Sequence, residues 1–247
     1  MKILVCVSKT PDTTTRIAFN AAGTELDASG VQFIMNPYDE WYALVRAIEI
    51  QESKGGSVTL INVGDDSNDA ILRKGLAIGA TDAIRINARP ASALFAARQI
   101  AAIAKKESYD LIFLGKESID FNGSEMGGML AELLDLPFVS YANKLELVDD
   151  RTAALVREIE GGTEELEVGL PLVVSAAKGM AEQRIPNMRG IMMAKSKPLQ
   201  VLEPIEVADP VEVVQFVLPG GKSSVKMVDA EQMDELVRLL HEEAKAF

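Results

Sequence analysis

SVTLINVGDDSNDAILRKGLAIGATDAIRIN, residues 57–87, holds two short apolar runs around one longer run of helical period. SVTLINVG (57–64) and AIRIN (83–87) are apolar on both faces, which is the pattern of strands buried on both sides of a parallel sheet. NDAILRKGLAIGA (68–80) supplies the crossover helix that two parallel strands need. The alternation extends both ways, with ILVCV (3–7) and DLIFLG (110–115) as further strands. YDEWYALVRAIEIQESKG (38–55) and SALFAARQIAAIAKKE (92–107) are the further helices. In the first of these, Trp41, Leu44, Val45, Ile48 and Ile50 keep a near-helical period, Asn36 and Pro37 stand at its entrance, and Gly55 ends it. The expected fold is therefore α/β, an open, mostly parallel, doubly wound sheet of Rossmann-like type.

Three segments depart from this rhythm. IAFN (17–20) and VQFIMN (31–36), separated by AAGTELDASG, read as a β-hairpin inserted between the first strand and the first helix. Such excursions sit at the strand ends where ligands bind. After residue 137, FVSYANKLELV, TAALVREIEGGTEELEVGL and LVVSAAKG are rich in β-branched residues and broken by short turns, so they read as strands extending the sheet or covering its edge. From 196 onward prolines recur every few residues, which favours an extended segment. It closes in MVDAEQMDELVRLLHEEAKAF, where Asp229 is placed to cap a helix with Met233, Leu236, Leu239 and Leu240 on one face. Residues 1–195 are read as the α/β domain and 196–247 as an extended arm. Pattern alone leaves open whether that arm grips another chain or packs on its own domain.

Composition narrows the function. The 247 residues are 48% hydrophobic, enough for one large core. A formal charge of −12 and a pI near 4.7 oppose a polyanionic nucleic-acid backbone. A single cysteine, Cys6, excludes an internal disulfide, and the lone His241 removes most histidine chemistry. The N-terminal apolar run is too short for a signal peptide, and no apolar stretch approaches the ~20 residues that span a bilayer. The expectation is a reduced, soluble, cytoplasmic protein.

The loop in FLGKESIDFNGSEMGGML (113–130) joins the strand at 110–115 to a helix, at the sheet edge where open α/β folds bind ligands. Gly123, Gly127 and Gly128 would let a phosphate approach backbone N–H groups at the helix start. Yet the loop matches neither GxGxxG nor GxxxxGK[ST], and on spacing alone a plain turn ranks above a nucleotide site. Asp120 is correspondingly either a helix-entry acid or a hydroxyl-binding carboxylate.

LVREIEGGTEELEVGLPLVVSAAKG (155–179) narrows the choice. Its Arg157, its turn at Glu160, Gly161 and Gly162, then Glu164, and Pro171 before an apolar run resemble the signature of the β subunits of electron-transfer flavoproteins, which usually carry valine at the position of Leu155. VCVSKTPDT, MNPYDEWYALVRA, RKGLAIGATDAIRI, LGKESID and IMMAKSKPL are similar to other conserved stretches of that family. The resemblance runs from the first strand to about residue 200. It implies an electron carrier, not an enzyme: a heterodimer whose α subunit holds most of an FAD, with an adenine nucleotide, AMP, bound in the β subunit. It also implies flavin dehydrogenases such as acyl-CoA dehydrogenase as electron donors, the setting of fatty-acid oxidation, and residues 196–247 as the arm that grips the α subunit.

By the same resemblance the AMP pocket comprises Cys6, then Asn36, Pro37, Tyr38 and Asp39 before the first helix, and Val63 at the second strand's end. It continues through Gly115, Lys116, Glu117, Ser118, Ile119, Asp120, Phe121, Asn122, Gly123, Ser124, Glu125 and Met126. Tyr38 would face the flavin. Arg184, Ile185, Pro186, Asn187, Met188, Arg189 and Gly190, continuing to Met193, would form the loop that docks on dehydrogenases; Met188, Met192 and Met193 suit an adaptable surface.

Simpler roles exist for each residue. Cys6 in an apolar strand is by default a small core residue, Asn36 before Pro37 a helix-entry residue, and Trp41 core. The loop also departs from its relatives, which often have glycine-aspartate-threonine after Ile119–Asp120 and a glutamine where Glu125 stands. A carboxylate there disfavours phosphate unless it turns away or meets a cation such as Lys116. Two FAD per heterodimer, with electron bifurcation, is the alternative within the family. A universal-stress-type nucleotide-binding module is the alternative outside it, and a nucleotide hydrolase lacks an evident base or metal cluster.

Overall fold

A computed structural model describes residues 1–221 and 224–247. In chain order the elements begin with β1 (Lys2–Cys6), β2 (Lys9–Pro11), β3 (Phe33–Met35), α1 (Asp39–Lys54), β4 (Ser57–Val63), α2 (Asp69–Ile78), β5 (Asp82–Ile86), α3 (Ala93–Ala104) and β6 (Leu111–Gly115). They continue with α4 (Met126–Leu134), β7 (Phe138–Leu147), β8 (Thr152–Ile159), β9 (Gly162–Gly169), β10 (Leu172–Ala176), α5 (Met188–Ala194), β11 (Leu199–Leu202) and α6 (Met233–Arg238).

One nine-stranded sheet runs in the order β11-β5-β4-β1-β6-β10-β7-β8-β9. All pairings from β11 to β7 are parallel, and only β7-β8 and β8-β9 are antiparallel. Alternation along β1 divides the core: Ile3 and Val5 face a layer containing α1 and α2, and Leu4 and Cys6 face one containing α3 and α4. The doubly wound reading therefore holds. Leu44 and Ile48 on α1 and Leu72 and Leu76 on α2 lie almost wholly out of solvent, each contributing about 1.5–3 kcal/mol by burial.

The segment after residue 137 does extend the sheet, but not as a simple meander. β10 returns to insert between β6 and β7, parallel to both, because LVVSA is apolar on both faces and is buried along its whole length.

The inserted hairpin differs from its expected form. Its ladder joins Lys9–Pro11 to Phe33–Met35, while Phe19 makes only an isolated bridge to Leu26. Pairing is carried by backbone bonds with Thr10 and Met35 turned inward, so the polar stretch KTP gave no hydrophobic signal. At the other end, the sheet recruits Leu199–Leu202 as an edge strand on β5.

The chain beyond it first lies along α3. Gln99 exchanges two hydrogen bonds with the backbone of Ile205, and the Asp209 carboxylate accepts from the N–H groups of Ala91 and Ser92 and from the Ser92 hydroxyl. It then reaches the insertion, where Phe216 stacks on Phe19 at 5.0 Å and donates its N–H to Gly23. Asp229 does not cap the terminal helix; it closes the preceding turn on the Glu231 N–H, and α6 starts after Gln232 without a side-chain cap.

Candidate functional site

The order of the sheet reverses at β1. The chain passes outward from β1 to β4 and β5, then returns to β6 on β1's other side, so a crevice opens beyond the carboxyl ends of β1 and β6. Cys6, Gly115 and the start of α1 meet at that point. A side chain at Gly115 would place its Cβ 3.0 Å from the Glu40 backbone nitrogen, so only glycine lets β6 pass this close to α1.

Asn36 is fully buried, and both ends of its amide are engaged: Nδ2 donates to the Glu117 carbonyl (2.9 Å) and Oδ1 accepts from the Ile119 N–H (3.0 Å). It pins the long loop against the α1 entrance. Tyr38 follows at φ 63°, an uncommon conformation for a tyrosine, and leaves its ring exposed. Asp39 is 4.0 Å from Lys116, but burial outweighs that cation and lifts its carboxyl to about 6. Glu40 beside it is lifted by burial to about 8, against two hydrogen bonds from the Ser8 N–H and hydroxyl that favour its charged form. Burial, with a smaller contribution from Glu40, also pushes the Cys6 thiol far above its ordinary range, so it carries no thiolate chemistry.

On the loop, Lys116 is paired with Glu117 at 2.5 Å rather than with Glu125. Glu125 precedes α4 without capping it. Ser124 donates to Glu117 (3.3 Å) and lies 3.1 Å from the Tyr141 hydroxyl, while Phe121 projects into solvent. Gly127 serves packing: a Cβ there would strike the Phe138 ring at 2.6 Å. Val63 ends β4 one strand away from β1, at the same edge of the sheet.

The expected docking segment lies on the α1 and α2 layer. Arg184 forms a two-pronged ion pair with Glu52, and its carbonyl accepts from the Trp41 indole. The segment is not a loop throughout. Asn187 caps α5 through the Gly190 N–H, and Gly190 packs so tightly on α2 that a Cβ would meet the Ala77 carbonyl oxygen at 2.3 Å. Ile185, Met188 and Met192 are exposed beside a cleft lined by Arg73, Lys74, Pro186 and Ile191. Among the described residues no cluster of His, Cys, Asp and Glu is arranged to hold a metal, and no helix is long and apolar enough to cross a membrane.

Cys6, residues 36–39 and the 115–126 loop thus lie together at one end of the sheet, joined there by Ser8, Glu40 and Tyr141, which the sequence pattern does not single out. Glu40 in a first helical turn reads simply as a dipole partner, and Tyr141 enters the site through a register shift that no local pattern announces.

Fold and strand-end loops define a Rossmann-like α/β protein with a crevice at the carboxyl edge of a mostly parallel sheet. Residues 24–207 match the electron transfer flavoprotein domain. The chain is 35% identical to the electron transfer flavoprotein subunit beta of Bacillus subtilis across 99% of both chains. It is 33% identical to the mitochondrial subunit beta of Arabidopsis thaliana, again across 99% of both. With the human subunit beta it shares 34% identity over 82% of this chain and 81% of that one. The chain belongs to the electron-transfer flavoprotein family as a β subunit, and so to a family of electron carriers rather than enzymes.

Proposed function

We propose that this chain pairs with an electron-transfer flavoprotein α subunit, forms one wall of a shared FAD site, and binds AMP at the strand-end loop. The observation that carries this reading is full-length similarity to a β subunit, joined to a polar seat at the sheet's switch point. The residues suit the groups. Gly115 keeps the β6 end open, Lys116, Ser124 and Tyr141 converge as donors at the loop, and Tyr38 offers an exposed ring at the α1 entrance.

Flavin supplies the redox chemistry when bound. The chain's own part is to bind, orient and exclude water. Asn36 fixes the loop, Glu40 with Ser8 fixes the α1 entrance beside Tyr38, and α5 presents Met188 and Met192 to a flavin dehydrogenase such as acyl-CoA dehydrogenase. Methionine suits that task because its flexible thioether adapts to different partners. Residues 196–247 act as the arm on the α subunit, residues 1–195 as the nucleotide-binding domain, and the complex works in the cytoplasm.

The test is co-expression with the α subunit, heat release of bound nucleotides and chromatography. Equal FAD and AMP is the expected result. Two FAD per heterodimer would replace AMP by a second flavin and point to bifurcation, and absence of both flavin and heterodimer would overturn the assignment.

A further inference from the structure

The loop from 115 to 126 carries one cation, Lys116, and three carboxylates, Glu117, Asp120 and Glu125. That single ammonium is already engaged, 2.5 Å from Glu117, and the same carboxylate accepts from the Ser124 hydroxyl at 3.3 Å. Ser124 in turn lies 3.1 Å from the Tyr141 hydroxyl, and the Lys116 ammonium sits 5.6 Å from the centre of the Tyr141 ring. Two donors, Lys116 and Ser124, therefore hold one carboxylate, and Tyr141 backs them through the Ser124 hydroxyl.

Tyr141 reaches this cluster at a cost. Its φ is 57°, a left-handed conformation that a bulky side chain rarely adopts. β7 shifts register here against β10, and again against β8 between Ala142 and Lys144, while the Ser175 hydroxyl holds the Tyr141 N–H at 3.0 Å. The distortion brings the phenol to Ser124 and Lys116.

We propose that Glu117 is an internal anion that occupies the seat of the nucleotide's phosphate monoester, and that Lys116 and Ser124, with Tyr141 beside them, are the donors freed for the phosphate when it enters. This rests on the reading that an adenine nucleotide binds at this loop. One ammonium cannot serve two anions in contact without strong like-charge repulsion, so the phosphate displaces Glu117. Glu117 thereby sets affinity for phosphate without touching the base or ribose. Binding of the uncharged nucleoside escapes the competition.

The test uses the co-expressed heterodimer, stripped of its β-subunit nucleotide, titrated calorimetrically with AMP and with adenosine. Glu117→Gln removes the competing charge and should tighten AMP roughly tenfold while leaving adenosine unchanged. Tyr141→Phe should weaken AMP roughly fivefold, with adenosine and the thermal midpoint unchanged. AMP affinity in Glu117→Gln that is equal or weaker overturns the internal-anion role, as does an equal gain for adenosine. Unchanged AMP affinity in Tyr141→Phe removes Tyr141 from the seat. A flavin-loaded wild-type heterodimer that binds no AMP overturns the nucleotide reading itself, a result distinct from either of these.

Discussion

Glu40 is the residue through which pH reaches the strand-end site. Its carboxyl, ordinarily near 4.5, stays protonated to about 8 in the folded chain because burial outweighs the Ser8 hydrogen bonds. Between those values the folded state holds a proton that the unfolded state has released. The contribution is therefore complete below pH 4.5 and is lost as pH rises towards 8. Asp39, lifted from 3.8 to about 6, adds the same sign over a narrower window. Urea denaturation of wild type and Glu40→Gln at pH 5 and pH 8 should show the wild type losing on the order of a few kcal/mol more than the variant. An identical pH dependence in the two proteins would show that Glu40 is not the coupled group. Asn36 makes a related point about legibility. Its place before Pro37 was readable, but its work, holding residues 117 and 119, spans more than eighty positions of sequence.

At the scale of elements, α5 and α2 secure one another. Arg73 of α2 donates to the carbonyls of Ala194, the last residue of α5, and of Lys197 beyond it, and the Lys197 ammonium returns to the carbonyls of Leu76 and Ala80 at the end of α2. Gly190 allows the contact. Gly190→Ala should force α5 off α2 and cost about 1–3 kcal/mol, measured as a lower denaturation midpoint, because the obstacle is the backbone oxygen of Ala77. Met192→Ala, on the exposed side, should leave that midpoint within about 0.5 kcal/mol while slowing electron transfer from a dehydrogenase, read by stopped-flow absorbance. If both variants lose stability alike, the methionine belongs to packing rather than docking. The sequence pattern reads this segment as a loop, since seven residues around a glycine give no clear helical period; the Asn187 cap and the α2 surface make it a helix.

At the scale of the molecule, the arm divides into a tethered and an uncovered part. Residues 205 and 209 are bonded to α3, whereas Val214, Val217, Val225 and Met227 beyond them expose apolar side chains, as a partner surface does. A chain ending at 209 should lose only the far-ultraviolet signal of α6, keep that of the sheet and α1–α5, and lose about 0.5–1.5 kcal/mol with the Phe19–Phe216 stack, yet fail to co-purify with the α subunit. Retention of the α subunit would place the grip elsewhere. What the sequence determined by itself was the alternation of buried strands and amphipathic helices, hence the parallel sheet and the strand-end position of the 115–126 loop. Burial periodicity is local, so each element declares itself in a few residues. Tertiary structure alone decided that β10 inserts between β6 and β7, that Asn36 clamps the distant loop, and that Tyr141 and Glu117 share Lys116. Those outcomes follow from close packing and charge pairing between residues far apart in the chain, which no local pattern encodes.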